Sequence, residues 1–446
     1  MKRWIMVVLV ALLAGTTTTR SPAAQAATPA NDLVALCRDL YGDVFAVPNA
    51  EPLGPCQWDM AVINATDAGS YAQATGHGVS VGVLDTGIGF THPDVVPNLD
   101  VDRSCSFIFT DTPTADPWEI ANGDCTNKAA VRDVHGHGTH VASTIAAPRN
   151  GVGIAGVAPN ATLVALKVCT PFGLCFADSV AAALRYAADI GLDIVNLSLS
   201  ADPYLYYCKD EAAQRAILDE LARAARYAQQ RGVLIVVAAG NQQIDLQHPR
   251  PIELNPNRSA DTGEVLEVRN NCRIAPAELP GVLTVSATGP IGYPSYDAWI
   301  ATYSNVGMSQ IDVAAPGGDY IQATGTVQDA VLGAVPSDSD TWLALEPLTA
   351  DFPGLAVSDQ GATYVYLNGT SMAASHAAGV TALVKQVHPD WEPQAINAAI
   401  QRSAQRLACP PHWAPGPYDA RECYGYEGRT SFFGHGLVDA LVATRH

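Results

Sequence analysis

Charge is scarce in this sequence, and basic charge is scarcest. Only 15% of its 446 residues are charged, and 25 Lys and Arg stand against 44 Asp and Glu, for a formal net charge of −19. That balance argues against a nucleic-acid partner or an anionic membrane surface, since both are held by basic side chains. Beyond the N-terminus no apolar run approaches the length of a membrane span. The ten cysteines include no C-x-x-C pair, which argues against a zinc ribbon or a thioredoxin-like redox site. No H-E-x-x-H helix is present. No internal repeat or low-complexity tract is present either, which removes solenoids and arrays.

What is present begins with a targeting signal. Met1-Lys2-Arg3 is basic, the run WIMVVLVALLA at 4–14 is apolar but short, and Ala24-Gln25-Ala26 supplies an A-x-A cleavage site. Residues 1–26 are read as a secretory signal, with a retained anchor as the alternative, and the protein as extracellular. An even number of cysteines suits that compartment. Pairing nearest neighbours, which closes the shortest loops, would join 37–56, 105–125, 169–175, 208–272 and 409–423, although spacing alone does not fix it.

Hydrophobic residues make up 48% of the chain, enough for a large core. Short apolar runs alternate with Ala-rich helical segments. Strands are expected in 78–85, 161–169, 192–200 and 232–241, with further short apolar runs at VLTVSATG and IDVAAPG. Helices are expected over 140–148, 178–191, 211–232, 369–389 and 393–405. Asp178 is read as an N-cap. The alternation predicts repeated βαβ units: an α/β fold, mostly parallel, its sheet covered by helices on both faces in three layers. The rhythm runs unbroken from about 78 to 405, so one large domain is expected. Pro/Gly/Asp-rich stretches near 242–275 and 325–360 read as surface insertions.

In such sheets chemistry collects beyond the carboxyl ends of the strands. VLDTGI (83–88) ends an apolar run on Asp85, an acid costly to bury unless paired. VHGHGTH (134–140) places His135, His137 and His140 among glycines that allow close approach. Its spacing lacks the Glu and third ligand of a zinc site, and fits a base at a helix start. NGTSMAASHAAG (368–379) places Ser371 at a helix start, where backbone N–H groups are free. Each alone also reads as an ordinary cap or turn. Together they supply a nucleophile, a base and an orienting carboxylate, in the order Asp, His, Ser that the subtilisin template shows.

VLDTGI, HGTHVAS and NGTSMA resemble the three active-site motifs of the subtilases, the subtilisin-like serine peptidases. AAGN (238–241), NLSLS (196–200), IAGVAP (154–159) and FGHGLVDA (433–440) are similar to further family segments. The resemblance covers roughly 56–446, with 27–55 left as an N-terminal arm or short pro-segment. It implies a secreted endopeptidase acting on proteins or peptides, expected as a monomer, with no nucleic-acid partner and no membrane partner once the signal is removed. It implies Ser371 as nucleophile, His137 as base, Asp85 as its orienting partner and Asn241 as an oxyanion donor. Leu197, Ser198 and Leu199 would form one wall of the first specificity pocket, and Ala238, Ala239 and Gly240 the other. His135 and His140 are left as structural or solvated.

No cofactor is needed for such chemistry. A structural Ca²⁺ is implied at Asp94 in THPDV and Asn150 in RNGVGIAG, whose oxygens suit that ion. The sequence departs from the family at Ala374-Ser375, where Ser-Pro is usual, and at Ser200-Ala201-Asp202, where glycines are common. Only about 30 residues separate the expected cleavage site from the core, too few for an independent inhibitory domain. Disulfides would then substitute for one in folding. Two rival readings stand beside the peptidase: a catalytically weak relative acting as a binding protein, and a metal-dependent hydrolase using the histidines.

Overall fold

The apolar runs form strands because each is buried on both faces. A computed structural model of the chain describes residues 27–42, 44–250, 267–290, 299–320, 326–410 and 421–445; the expected signal 1–26 and part of the expected insertion near 242–275 lie outside the described residues. Strands Leu283–Gly289, Leu234–Ala238, Ile194–Leu197, Ser80–Asp85 and Thr162–Lys167 lie side by side in that order, all parallel. Cys105–Ser106 continues the sheet beyond Thr162–Lys167. Val313–Pro316 also joins Leu283–Gly289 in parallel, and Trp299–Ile300 is antiparallel to it.

Successive strand residues face opposite layers. Val81 and Val83 pack into one core with helices His137–Ala146 and Thr370–Val387. Leu84, Val195 and Val237 pack into a second core with helices Ala177–Asp189 and Ala212–Gln229. Each fully buried Val or Leu contributes roughly 1.5–3 kcal/mol. The result is the expected three-layer α/β/α fold. One local expectation fails: Asp178 is not the N-cap. The helix starts at Ala177 with Phe176 at the cap. Asp178 sits in the first turn, where its charge still suits the helix dipole.

The stretch 325–360 is not confined to the surface. Val331–Val335 is a strand with every residue buried, and it pairs antiparallel with Ala362–Leu367. Ala356–Asp359 pairs with the other edge of Ala362–Leu367 through a two-residue turn. Gln360 and Gly361 have φ of 48° and 84°, as the favoured hairpin turn with two left-handed residues requires. The N-terminal arm closes this second sheet: Thr28–Pro29 pairs parallel with Ala356–Asp359. Helix Ala30–Tyr41 then buries Leu33, Cys37 and Tyr41 against Leu53, Trp58 and Tyr364. All five disulfides follow the nearest-neighbour pairing, and Cys37–Cys56 ties this arm to the body.

Candidate active site

Asp85 is the last residue of its strand, at the carboxyl edge of the sheet, and is 1% exposed. Its Oδ1 accepts a hydrogen bond from Thr86 N at 2.8 Å and lies 2.7 Å from His137 Nδ1. His137 opens the helix His137–Ala146. Gly136 precedes it at φ 104°, a left-handed conformation that a side chain would strain. The imidazole is 24% exposed, so one edge reaches solvent while the other is held by the carboxylate. Burial pushes its pKa down, but the Asp85 charge and hydrogen bond outweigh that and hold it above the ordinary histidine value.

A residue that the motif reading passed over sets this loop. Asp133 is buried, and its Oδ1 accepts from Thr86 Oγ1 (2.9 Å), His135 N (3.0 Å) and Gly136 N (2.8 Å). Its Oδ2 accepts from Thr139 N at 2.9 Å and Thr139 Oγ1 at 2.6 Å. These bonds satisfy free donors at the helix start and join it to the residue after Asp85. Behind them lies a buried ion pair, Lys167 to Glu119 at 3.2 Å, with Lys167 Nζ donating to the carbonyls of Thr86 and Arg132. The signal for Asp133 was an acid just upstream of a helix start, two residues before His135.

The three histidines divide. His140 is fully buried, with Nε2 3.2 Å from the carbonyls of Val331 and Val365, and burial lowers its pKa to about 3. It is a neutral packing group beneath the second sheet. His135 lines the cleft with His137, and its Nδ1 accepts from His137 N at 3.3 Å. No group of three metal-ligating side chains occurs among the described residues.

Ser371 is the second residue of helix Thr370–Val387, two residues after Gly369 at its N-cap. Its Oγ donates to the Ser198 carbonyl at 3.1 Å, and Ser198 Oγ donates back to the Ser371 carbonyl at 2.8 Å. No hydrogen bond joins Ser371 to His137 among the described residues, although both line one cavity of about 340 Å³. Asn241 lines it too. Its Oδ1 accepts from Thr370 N (2.9 Å) and Thr370 Oγ1 (2.7 Å), which fixes the amide and leaves its NH₂ beside the start of the serine helix. Ser375 stands where the family usually has proline, and its Oγ donates to the Ser371 carbonyl at 2.8 Å. Further along this helix His376 is buried, with Nε2 2.8 Å from Asp59 Oδ2 and Nδ1 2.8 Å from the Met372 carbonyl.

Ser198, Leu199, Ala238 and Gly240 line the same cavity. Leu197 and Ala239 do not: their side chains lie in the core on the opposite face of the sheet.

Asp94 and Asn150 meet, but as acceptor and donor. Asn150 Nδ2 donates to Asp94 Oδ1 at 3.3 Å and to the Pro93 carbonyl at 3.0 Å. Asp94 Oδ2 accepts from Tyr364 OH at 2.8 Å and Ile154 N at 3.0 Å, and Asn150 Oδ1 accepts from Val152 N at 2.9 Å. Calcium needs six to eight converging oxygens. Here the side-chain oxygens are committed to protein N–H and O–H groups, so this arrangement does not fit the ion. Burial raises the Asp94 pKa to about 7.

The family model for the subtilase family matches residues 76–436. Subtilisin Savinase of Lederbergia lenta is 30% identical over 388 residues, spanning 87% of this chain and 98% of its own length. An alkaline protease of Alkalihalobacillus alcalophilus is 30% identical over 87% of this chain and 70% of its own length. Among solved structures, the epidermin leader peptide processing serine protease of Staphylococcus aureus matches with a TM-score of 0.62 at 22% identity, over 88% of this chain and 81% of that one. Family match and relatives point the same way: this chain belongs to the subtilase family of serine peptidases.

Proposed function

We propose that the protein is a secreted serine endopeptidase that uses Asp85, His137 and Ser371 as its triad and Asn241 in its oxyanion hole. The observation that carries this reading is the 2.7 Å contact of buried Asp85 Oδ1 with His137 Nδ1, in a cleft that also holds Ser371 and Asn241. A carboxylate on Nδ1 fixes the tautomer that leaves Nε2 free to take a proton.

Ser371 Oγ turns from the Ser198 carbonyl toward Nε2 and attacks the scissile carbonyl carbon as its proton passes to His137. The negative charge gathers on the former carbonyl oxygen, where the Asn241 NH₂ and the Ser371 N–H stabilise it. Collapse breaks the C–N bond, and His137 returns the proton to the leaving amine. Water then repeats the sequence on the acyl-enzyme. The extended substrate adds as a strand beside Ser198–Ser200. This chemistry needs no cofactor. The charge balance supports peptide rather than nucleic-acid partners, and no helix among the described residues is long and apolar enough to cross a membrane. A monomer and export through residues 1–26 complete the reading.

Casein cleavage by wild type and Ser371→Ala, each with and without EDTA, tests it. The reading predicts loss with the substitution and none with EDTA. Cleavage that survives Ser371→Ala and dies with EDTA would instead support metal-dependent hydrolysis.

A further inference from the structure

A second cavity, of about 190 Å³, opens on the other side of Ser371. Among the described residues it shares only His135, His137, Asn241 and Ser371 with the cleft lined by Ser198–Ser200. If that first cleft takes the residues before the scissile bond, this one faces the residue after it. Apart from Tyr320, Thr341, Tyr366 and Asn368, its remaining described lining is apolar and includes Leu345, Leu348, Phe352, Leu355, Leu367 and Met372. Among the described residues no Asp, Glu, Lys or Arg lines it.

The apolar wall comes from the stretch read at first as an insertion, and it is fixed in place. Ser339 Oγ accepts from Trp342 N at 3.3 Å and so caps the helix Asp340–Leu345. Trp342 is buried among Val335, Ala356 and Val365 of the second sheet. On the active-site side, Asp340 N donates to the Val134 carbonyl at 2.8 Å. Thr341 N and Oγ1 both donate to the His135 carbonyl, at 3.1 and 2.6 Å. The wall is therefore bonded directly to the loop that carries His137. A dry cavity near 150 Å³ lined by such residues accommodates benzene, so this one has room for a large apolar side chain.

We propose that this cavity, built by residues 341–355, is a specificity pocket for a large aliphatic or aromatic side chain on the leaving-group side of the scissile bond. The proposal rests on the peptidase reading. It makes the enzyme selective for the residue that follows the cut.

Acyl transfer tests this side of the cleft alone. A peptide methyl ester acylates Ser371 and releases methanol, which takes the serine proton by way of His137, and the acyl-enzyme then partitions between water and an added amino-acid amide. The free α-amino nitrogen of the added amide attacks the acyl-enzyme ester carbonyl, gives a proton to His137 and displaces Ser371 Oγ, which recovers that proton, leaving a new peptide bond. The ratio of transfer to hydrolysis is internal to each variant and so does not depend on its acylation rate. Leucinamide and phenylalaninamide should capture the acyl group at least about tenfold better than glycinamide or aspartamide. Leu345→Asp should erase most of that preference. Ala344→Phe, which fills the cavity, should invert it toward glycinamide, and this second variant serves if the first does not fold. Ester turnover with equal capture of all four amides would overturn the pocket while leaving the peptidase reading intact. No ester turnover by wild type would overturn both.

Discussion

Asp133→Asn perturbs the site without touching a residue assigned to the chemistry. The Asp133 carboxylate accepts five hydrogen bonds from Thr86, His135, Gly136 and Thr139, at 2.6–3.0 Å. Asparagine keeps one acceptor oxygen and replaces the other with an NH₂. Placing the oxygen where Oδ1 is preserves three bonds and turns the NH₂ toward Thr139 N, so two bonds are lost and two donors face each other. Hydrogen bonds to a charged group contribute about 1.5–3 kcal/mol each, and an orphaned buried donor costs about 1–3 kcal/mol. Allowing for rotation of the Thr139 hydroxyl, the expected loss of stability is about 2–4 kcal/mol, read from urea unfolding at pH 7.5. The same bonds set the start of the helix bearing His137. A shift of about 1 Å there costs about 100-fold in rate, so kcat/KM should fall roughly 10- to 100-fold with KM little changed. Stability within about 0.5 kcal/mol of wild type and kcat/KM within twofold would refute the assignment of Asp133 as the residue that positions the His137 loop.

Three further outcomes follow from the same geometry. Because the Asp85 charge holds His137 above its ordinary value, the acidic limb of the pH–rate profile should lie above about 6.5; Asp85→Asn should move it down and lower kcat by about 10⁴, and an unmoved limb would contradict the pairing. Asp94 is raised to about 7 against about 3.9 unfolded, so the folded state holds a proton there that the unfolded state releases; this contribution to stability falls as pH rises from 4 to 7, Asp94→Asn should flatten that slope, and EDTA should leave Tm unchanged, whereas a fall in Tm would restore the calcium expectation. Replacing Cys37 and Cys56 together by serine opens a loop of 19 residues and should cost about 3 kcal/mol; proteolysis between residues 42 and 53 should then speed up, and equal protection in both forms would show that the helix Ala30–Tyr41 holds without the bridge.

The central sheet was legible because burial on both faces writes uninterrupted apolar runs such as GVLIVV, and glycines mark where the helices stop. The second sheet was not. Its strands are short and sit among Pro, Gly and Asp, and Val331–Val335 is recognisable as a strand only beside Ala362–Leu367, a partner about thirty residues away. Asp85, His137 and Ser371 stood out because each is a reactive side chain in a run of small residues. Asp133 did not, because its role lies in receiving backbone donors that appear only once the loop is folded. For the expected pocket walls the motif names a stretch of chain, and only the folded structure shows that the Leu197 and Ala239 side chains turn into the core. The paired appearance of Asp94 and Asn150 suggested oxygen ligands, but which end of the Asn150 amide faces Asp94 is set by the Pro93 carbonyl and Val152 N.

The most direct test of the central claim is covalent. Native protein treated with a serine-directed fluorophosphonate, digested and sequenced by mass spectrometry, should carry one stoichiometric adduct, on Ser371. Labelling should be lost in Ser371→Ala and fall steeply in His137→Ala, in parallel with casein cleavage. An adduct on another residue, or casein cleavage by a protein that takes no label, would contradict the assignment of Ser371 as the nucleophile.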